Sequence, residues 1–420
     1  MIIKEDVKRI ITNTTLLSSL QIFNYIIPLF LFPYLTHTLG TTIFGIWMLS
    51  LNIIQYLNIL IDYGFNLSAT KKVAIWKRNK EKIAELFTSV MFIKFLFFTT
   101  AFCIVVLFSE IINNLFRLPN NLLLEMFLYL FGLILTPFWL FQGLEQLKIP
   151  TLLNLVARIF SMFASFICIK NANDIYLLPI INGIPLVITG CISWVILYKQ
   201  EIKLIIPKWK LIKKEIVDGF DLFISSISVS LYTILNSILL GIFAGPQYVA
   251  YYSICEKIIQ VTKSIITPVF QATYPFMAKT LNEKRKINWG VLKILFLLSL
   301  LIGSIIILIL NIFNDTILNY FLHGEFNNSV KATLLLMSFI PLISFLNNSL
   351  FIQTLVPLGE SKYLRKATFL AGFINILFVS LFAGTLKELG SSMGYVLSEL
   401  SVLILGIIKV YMYSKRECDR

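Results

Sequence analysis

Residues 176–198 read YLLPIINGIPLVITGCISWVILY, a run without Asp, Glu, Lys, Arg or His that lies between Asp174 and Lys199. As a helix it is long enough to cross a hydrocarbon layer, for which about 20 apolar residues suffice. Further predominantly apolar runs lie near 16–35, 43–62, 84–108, 122–145, 150–169, 220–243, 250–275, 290–312, 331–356, 367–386 and 391–413. Of the 420 residues, 57% are hydrophobic and only 14% charged. A soluble domain carries nearer 25% charged residues and could not bury this much apolar surface. The expected fold is therefore an all-α polytopic membrane protein of about 12 transmembrane helices. The connections are too short to hold a separate soluble domain.

The net charge is +14, from 36 Lys and Arg against 22 Asp and Glu. In a membrane chain such an excess reads as orientation, because basic residues collect in cytoplasmic connections. Lys4, Lys8 and Arg9 precede the first run; Lys71, Lys72, Lys77, Arg78, Lys80 and Lys82 follow the second; and a further basic group fills 199–214. Alternate connections hold only Arg117, Lys170, Lys331 and Lys387. This alternation predicts that both termini are cytoplasmic. It gives no reason to invoke nucleic acid.

Two segments half a chain apart resemble each other. Residues 17–25 (LSSLQIFNY) match 224–232 (ISSISVSLY), and 140–144 (LFQGL) match 351–355 (FIQTL). A duplicated six-helix unit follows, and six being even, both copies enter the membrane from the same side. The expected organisation is an N-terminal lobe over 1–198, a basic amphipathic linker over 199–219, a C-terminal lobe over 220–413 and a tail over 414–420. The lobes are two parallel six-helix units around a central cavity, a construction common among alternating-access transporters.

Polar residues inside the apolar runs mark candidate walls of that cavity. Glu256, Gln260, Lys263, Thr267 and Gln271 recur at helical spacing, with Lys257 beside them. Ionisable groups at this density are costly against lipid, so the face points to protein or water. A water-filled cavity and an internal Glu256/Lys pair both satisfy that condition. Tyr232 and Asn236 belong to a second stripe, Gln21 and Tyr25 to a third, and serines on these faces suit close helix packing equally well. Asp62 ends the polar series of the second run. Lys94, about ten residues into its own run, reads as an isolated intramembrane cation, whereas Arg158 and Lys293 read as reaching the interface.

Several chemistries lack any signal. No Walker A sequence, nucleophile elbow or H-E-x-x-H occurs, and no C-x-x-C or histidine cluster suggests a metal. A catalytic residue, a metal and a cofactor are each unexpected.

Four blocks carry a family likeness. Residues 137–148 (PFWLFQGLEQLK), followed by Asn154 and Arg158, hold a W-x-x-Q-G-x-E-x-x-K pattern. Residues 231–236 with Gly241, Tyr251 and 256–259 form the second, Pro268 through Pro275 the third, and 321–326 with Pro341, Gln353 and Gly359 the fourth. Together they resemble the O-antigen flippases (Wzx), relatives of other polysaccharide exporters and of the MATE drug exporters. Asn236 stands where some of these proteins carry an acidic residue.

The resemblance implies a non-enzymatic flippase of the bacterial inner membrane. Its implied substrate is a polyprenyl-diphosphate-linked oligosaccharide, moved from the cytoplasmic to the outer leaflet, with the lipid bilayer as surroundings and a polysaccharide polymerase or ligase as partner. On this reading Lys94, Lys257 and Lys263 contact the diphosphate. Gln260, Gln271, Tyr232, Asn236, Gln21 and Tyr25 line the path, and Glu256 and Asp62 couple an ion. The rivals are a drug exporter on the same scaffold, which would favour acidic walls, and a membrane polymerase or glycosyltransferase.

Overall fold

The computed structural model describes residues 23–271, 273, 274, 277, 287 and 289–418. Gln21, most of the first copy of the 17–25 repeat and the basic residues 279–286 lie outside the described residues. The chain divides into two compact units between Ile227 and Ser228.

The first unit contains α1 (23–39), α2 (Thr41–Asp62), α3 (Phe65–Ile75), α4 (Lys80–Leu107), α5 (Ser109–Phe116), α6 (Leu122–Glu125), α7 (Phe127–Leu135), α8 (Phe138–Gly143), α9 (Lys148–Cys168) and α10 (Leu177–Lys199). α11 (Trp209–Ser230) crosses the division. The second unit continues with α12 (Ile234–Phe243), α13 (Pro246–Ser264), α14 (267–271), α15 (Trp289–Ile312), α16 (Asn314–Leu322), α17 (Asn328–Met337), α18 (Phe339–Leu350) and α19 (Ser361–Cys418). Among the described residues, 8 helices are long and apolar enough to cross a membrane, or 9 if α11 and α12 form one broken span. The protein is an all-helical, multi-pass membrane protein.

Outward faces follow the sequence period. On α9, Leu152, Val156, Phe160, Phe163 and Ile167 are all exposed and fall on one helical face, the pattern of a side turned to lipid. The opposite face of α9 buries Ala157, Ser161 and Ser165. Glycines set the closest approaches: a Cβ on Gly132 of α7 would stand 2.6 Å from Leu186 Cβ of α10. Inside the first unit the core gathers around Phe65, Phe87, Trp139 and Phe141. In the second it gathers around Phe351, Leu355, Ala367 and Val402.

One expected run and one connection have internal breaks. The eighth run breaks at residues 265–266 between α13 and α14. Pro268 accounts for this, since it lacks an N–H and its ring crowds the carbonyl four residues earlier. The connection 199–219 is not one helix, because residues 202–208 are non-helical and Trp209 already begins α11. The last two runs, here α19, are two separate helices that meet at Lys387 (φ 54, ψ −131), as the sequence leads one to expect. There the chain turns back on itself. The Tyr363 hydroxyl donates to Leu405 O at 3.1 Å and the Ser398 hydroxyl to Ala371 O at 3.0 Å, an antiparallel pairing of the two arms.

Candidate functional site

In the first unit the polar centre begins at a corner. Asp62 closes α2, and the next two residues, Tyr63 (φ 48) and Gly64 (φ 78), turn left-handed to start α3. A Cβ at Gly64 would meet Leu222 Cβ at 2.9 Å, so the turn needs glycine for space as well as for conformation. The corner aims Asp62 at α4. Lys94 Nζ lies 2.7 Å from Asp62 Oδ1, with side-chain exposures of only 7% and 16%. Lys94 is therefore not the isolated cation expected from its sequence surroundings. Its counter-charge arrives from a helix 32 residues away.

The most specific sequence block, 137–148, proves architectural. A Cβ on Gly143 would stand 2.6 Å from Val73 Cβ and 2.8 Å from Thr70 O, so α8 and α3 touch almost backbone to backbone. The Thr70 hydroxyl donates to Trp139 O at 3.0 Å across the same contact. Glu145, in left-handed conformation, pairs with Lys77 at 2.8 Å. Trp139 is buried and Gln142 exposed. Its presumed repeat mate, Gln353, is buried instead and donates to Phe270 O at 2.9 Å.

That unit also carries a belt of ion pairs at its Lys-rich end. Lys72 of α3 holds both Glu215 (2.6 Å) and Asp218 (2.8 Å) of α11, and Glu215 is buried. Lys80 pairs with Glu201 at 2.5 Å and Lys208 with Glu85 at 2.6 Å. The Lys80 hydrogen bond, helped by its charge, holds the Glu201 carboxyl below the ordinary value. The hydrogen bond and charge of Glu85 hold the Lys208 ammonium above its own.

In the second unit the α13 residues form a chain. Lys257 Nζ donates to Gln260 Oε1 at 3.2 Å, and Gln260 Nε2 donates to Glu256 Oε1 at 3.3 Å. One turn on, Lys263 Nζ lies 3.4 Å from Glu399 Oε1 and 3.5 Å from the Tyr395 hydroxyl of α19. Glu399 is buried. Its other oxygen accepts from Asn347 Nδ2 at 2.8 Å, and Asn347 also donates to the Glu399 backbone carbonyl at 3.0 Å. Tyr232 completes the group, its ring centroid 6.4 Å from that of Tyr395.

The structure thus brings Glu256, Lys257, Gln260, Lys263 and Tyr232 into one unit's interior, and separately joins Asp62 to Lys94. It leaves others apart. Gln271 is exposed on α14, because the break before Pro268 ends the α13 face. Asn236 is fully buried and donates to the Tyr252 hydroxyl at 2.9 Å and to Ser391 O at 3.1 Å, a packing joint between α12, α13 and α19. Tyr25 is half-buried on α1. Sequence reading missed Glu399, Tyr395 and Asn347. Glu399 carried a signal, being a carboxylate within an apolar run.

Comparison with known proteins supplies a frame for this geometry. A family model described as "Polysaccharide biosynthesis protein" matches residues 10–281. The chain is 26% identical over 399 residues to a protein of Escherichia coli (strain K12) named "Putative O-antigen transporter", covering 95% of this chain and 96% of that protein. A protein of the same name from Shigella dysenteriae is 25% identical over 373 residues, covering 87% and 91%. Among solved structures, "Lipid II flippase MurJ, inward closed conformation" superposes with a TM-score of 0.75 at 15% identity, over 94% of this chain and 87% of that one. An inward-facing multidrug resistance MATE family transporter of the MOP superfamily gives a TM-score of 0.62 at 15% identity, over 93% and 99%. At these identities the structural likeness establishes a shared fold.

Proposed function

Starting from a chain that belongs to the polysaccharide biosynthesis protein family, we propose that it is a flippase for a polyprenyl-diphosphate-linked oligosaccharide. It takes the substrate from the cytoplasmic leaflet of a bacterial inner membrane and releases it in the outer leaflet. The names of the two curated relatives support this reading. The observation that carries it is the ionic and hydrogen-bonded group that Lys263 forms with the buried Glu399, Asn347 and Tyr395 inside the second unit. Such groups are expensive in a bilayer and mark pathways for polar cargo or ions.

Lys257 and Lys263 are the cationic contacts for substrate on this proposal, with Gln260 and Tyr232 beside them. Glu256 and Glu399 are the carboxylates through which an ion gradient would act. Lys94 and Asp62 neutralise each other, so the diphosphate-binding role expected of Lys94 passes to other cations. No bond is made or broken. The basic end of the first unit faces the cytoplasm, as its lysine excess requires, and a polymerase or ligase receives the delivered unit.

The test uses sealed vesicles holding the purified protein and a labelled polyprenyl-diphosphate oligosaccharide. Protein-dependent exposure of the label at the far leaflet, absent from protein-free vesicles and reduced at least tenfold in Glu399→Gln, is the expected result. Failure of the wild type to move any of several sugar compositions under proton or sodium gradients would overturn the proposal. Export of a cationic dye in the same vesicles would then favour the drug-exporter alternative.

A further inference from the structure

Arg158 sits ten residues from each end of the 21-residue α9, about 15 Å from either helix terminus. That depth is beyond the reach of its side chain to an interface, contrary to the expectation from sequence. It also faces away from the lipid-exposed residues of the same helix. It lines a cavity of about 70 Å³ inside the first unit, together with Tyr129 of α7, Ser161 of α9, Asn182 of α10, and Ile27 and Leu31 of α1.

Three features make this cavity a candidate binding site. Arg158 Nε is buried and has no hydrogen-bond partner among the described residues. Lys94 and Lys263, by contrast, each face a carboxylate. Two other side-chain donors of the wall are already engaged: the Ser161 hydroxyl donates to Ile181 O at 2.9 Å and Asn182 Nδ2 to Leu178 O at 2.8 Å. Among the described residues, no Asp or Glu lines the cavity. A permanent cation midway along a spanning helix, partly buried and facing a cavity with no carboxylate on its described wall, is the arrangement expected of a site completed by an anionic ligand.

The cavity has space for a ligand's oxyanion group beside Arg158. A second cavity of about 190 Å³ adjoins it at Leu186, with Thr136 and Asn154 on its wall, and offers room for what is attached to that group. Close approach of α7 and α10 fixes the wall, since a Cβ on Gly183 would meet Leu128 Cγ at 2.8 Å.

We infer that Arg158, with Tyr129, binds a phosphate group of a lipid at the centre of the first unit. Resting on the flippase reading, this assigns the site to the diphosphate of the polyprenyl carrier. The fork of the guanidinium suits a phosphoryl oxyanion through paired, charge-assisted hydrogen bonds.

The experiment measures binding to the full-length protein in lipid nanodiscs, using a sugar-free polyprenyl diphosphate, the neutral polyprenol and phosphatidylglycerol as probes. Wild type, Arg158→Gln, Arg158→Lys and Tyr129→Phe are compared after each is shown to keep the wild-type thermal midpoint. Expected are at least tenfold weaker diphosphate binding in Arg158→Gln, a smaller loss in Arg158→Lys and Tyr129→Phe, and unchanged polyprenol binding. Equal diphosphate binding by a folded Arg158→Gln, or none by the wild type, overturns the site. Equal competition by phosphatidylglycerol overturns the assignment to the carrier. Arg158-dependent binding by a protein that moves no oligosaccharide in vesicles would sink the flippase reading and leave the phosphate site standing. Movement by a folded Arg158→Gln at the wild-type rate, with undiminished binding, would do the reverse.

Discussion

Lys94 Nζ and Asp62 Oδ1 stand 2.7 Å apart on neighbouring helices of the first unit, both largely buried. Asp62 also accepts a longer bond from the backbone of Asn66, at 3.4 Å, in the first turn of α3. The pair therefore links α4 to the corner between α2 and α3. Removing one partner strands a charge in a poorly solvated place, which costs about 3–5 kcal/mol, more than the pair itself contributes. Lys94→Met and Asp62→Asn should each lower the thermal midpoint and membrane abundance. The double variant should recover part of the loss. A double variant no better than the worse single one would refute a mutual neutralisation.

The Glu399 carboxylate answers Lys263 on one oxygen and Asn347 on the other. Glu399→Gln keeps the shape and the Asn347 contact while deleting the charge. Transport in vesicles should fall at least tenfold with abundance within a factor of two. Asn347→Leu, which removes a donor from a buried carboxylate, should cost about 1–3 kcal/mol of stability. If Glu399→Gln instead loses protein from the membrane and the remainder transports normally, the group is structural.

Gly143 is required by the approach of α8 to α3. Gly143→Ala places a methyl group within 2.8 Å of Val73 and of the Thr70 carbonyl, and overpacking of this kind costs about 1–3 kcal/mol. Gln142→Ala, at the exposed position beside it, should change neither stability nor abundance. Thermal unfolding in detergent separates the two. Equal midpoints would show that the W-x-x-Q-G block is held for something other than packing.

Among the ion pairs of the basic end, burial decides the weight. Glu215 is 3% exposed, so Lys72→Ala leaves a buried carboxylate short of a cation and should destabilise α11 against α3 by about 3–5 kcal/mol. Lys80→Ala, which frees the exposed Glu201, should leave the midpoint unchanged. Because Glu201 titrates below its ordinary value, whatever its pair contributes is present near neutrality and fades as pH falls through the acid range. Screening by 1 M salt should likewise spare the Lys72 clamp more than the exposed pairs. Equal salt sensitivity of the Lys72→Ala and wild-type midpoints would support this; a clamp abolished by salt would not.

Much of the helical plan was legible because long apolar runs between basic connections leave few alternatives. The breaks were less so: Pro268 was visible, but where a proline breaks a span depends on what surrounds it, and residues 231–233 carry no proline at all. The site was legible in kind and misread in pairing. Lys94 looked isolated because its neighbours in sequence are apolar, and its partner is placed by a tertiary contact. Arg158 looked interfacial because snorkelling is the usual fate of an arginine in a span, and only packing against α1, α7 and α10 shows that this one turns inward. Glu399 obeyed the same rule that singled out Glu256 and was simply passed over.

The reversal at Lys387 bears on what holds the end of the chain together. With one non-helical residue between them, the two arms of α19 lie side by side and antiparallel. Side-chain bonds from Ser398 to the Ala371 carbonyl and from Tyr363 to that of Leu405 are available only once both arms are side by side. The pair 361–418 is thus closed by bonds that neither arm can make alone.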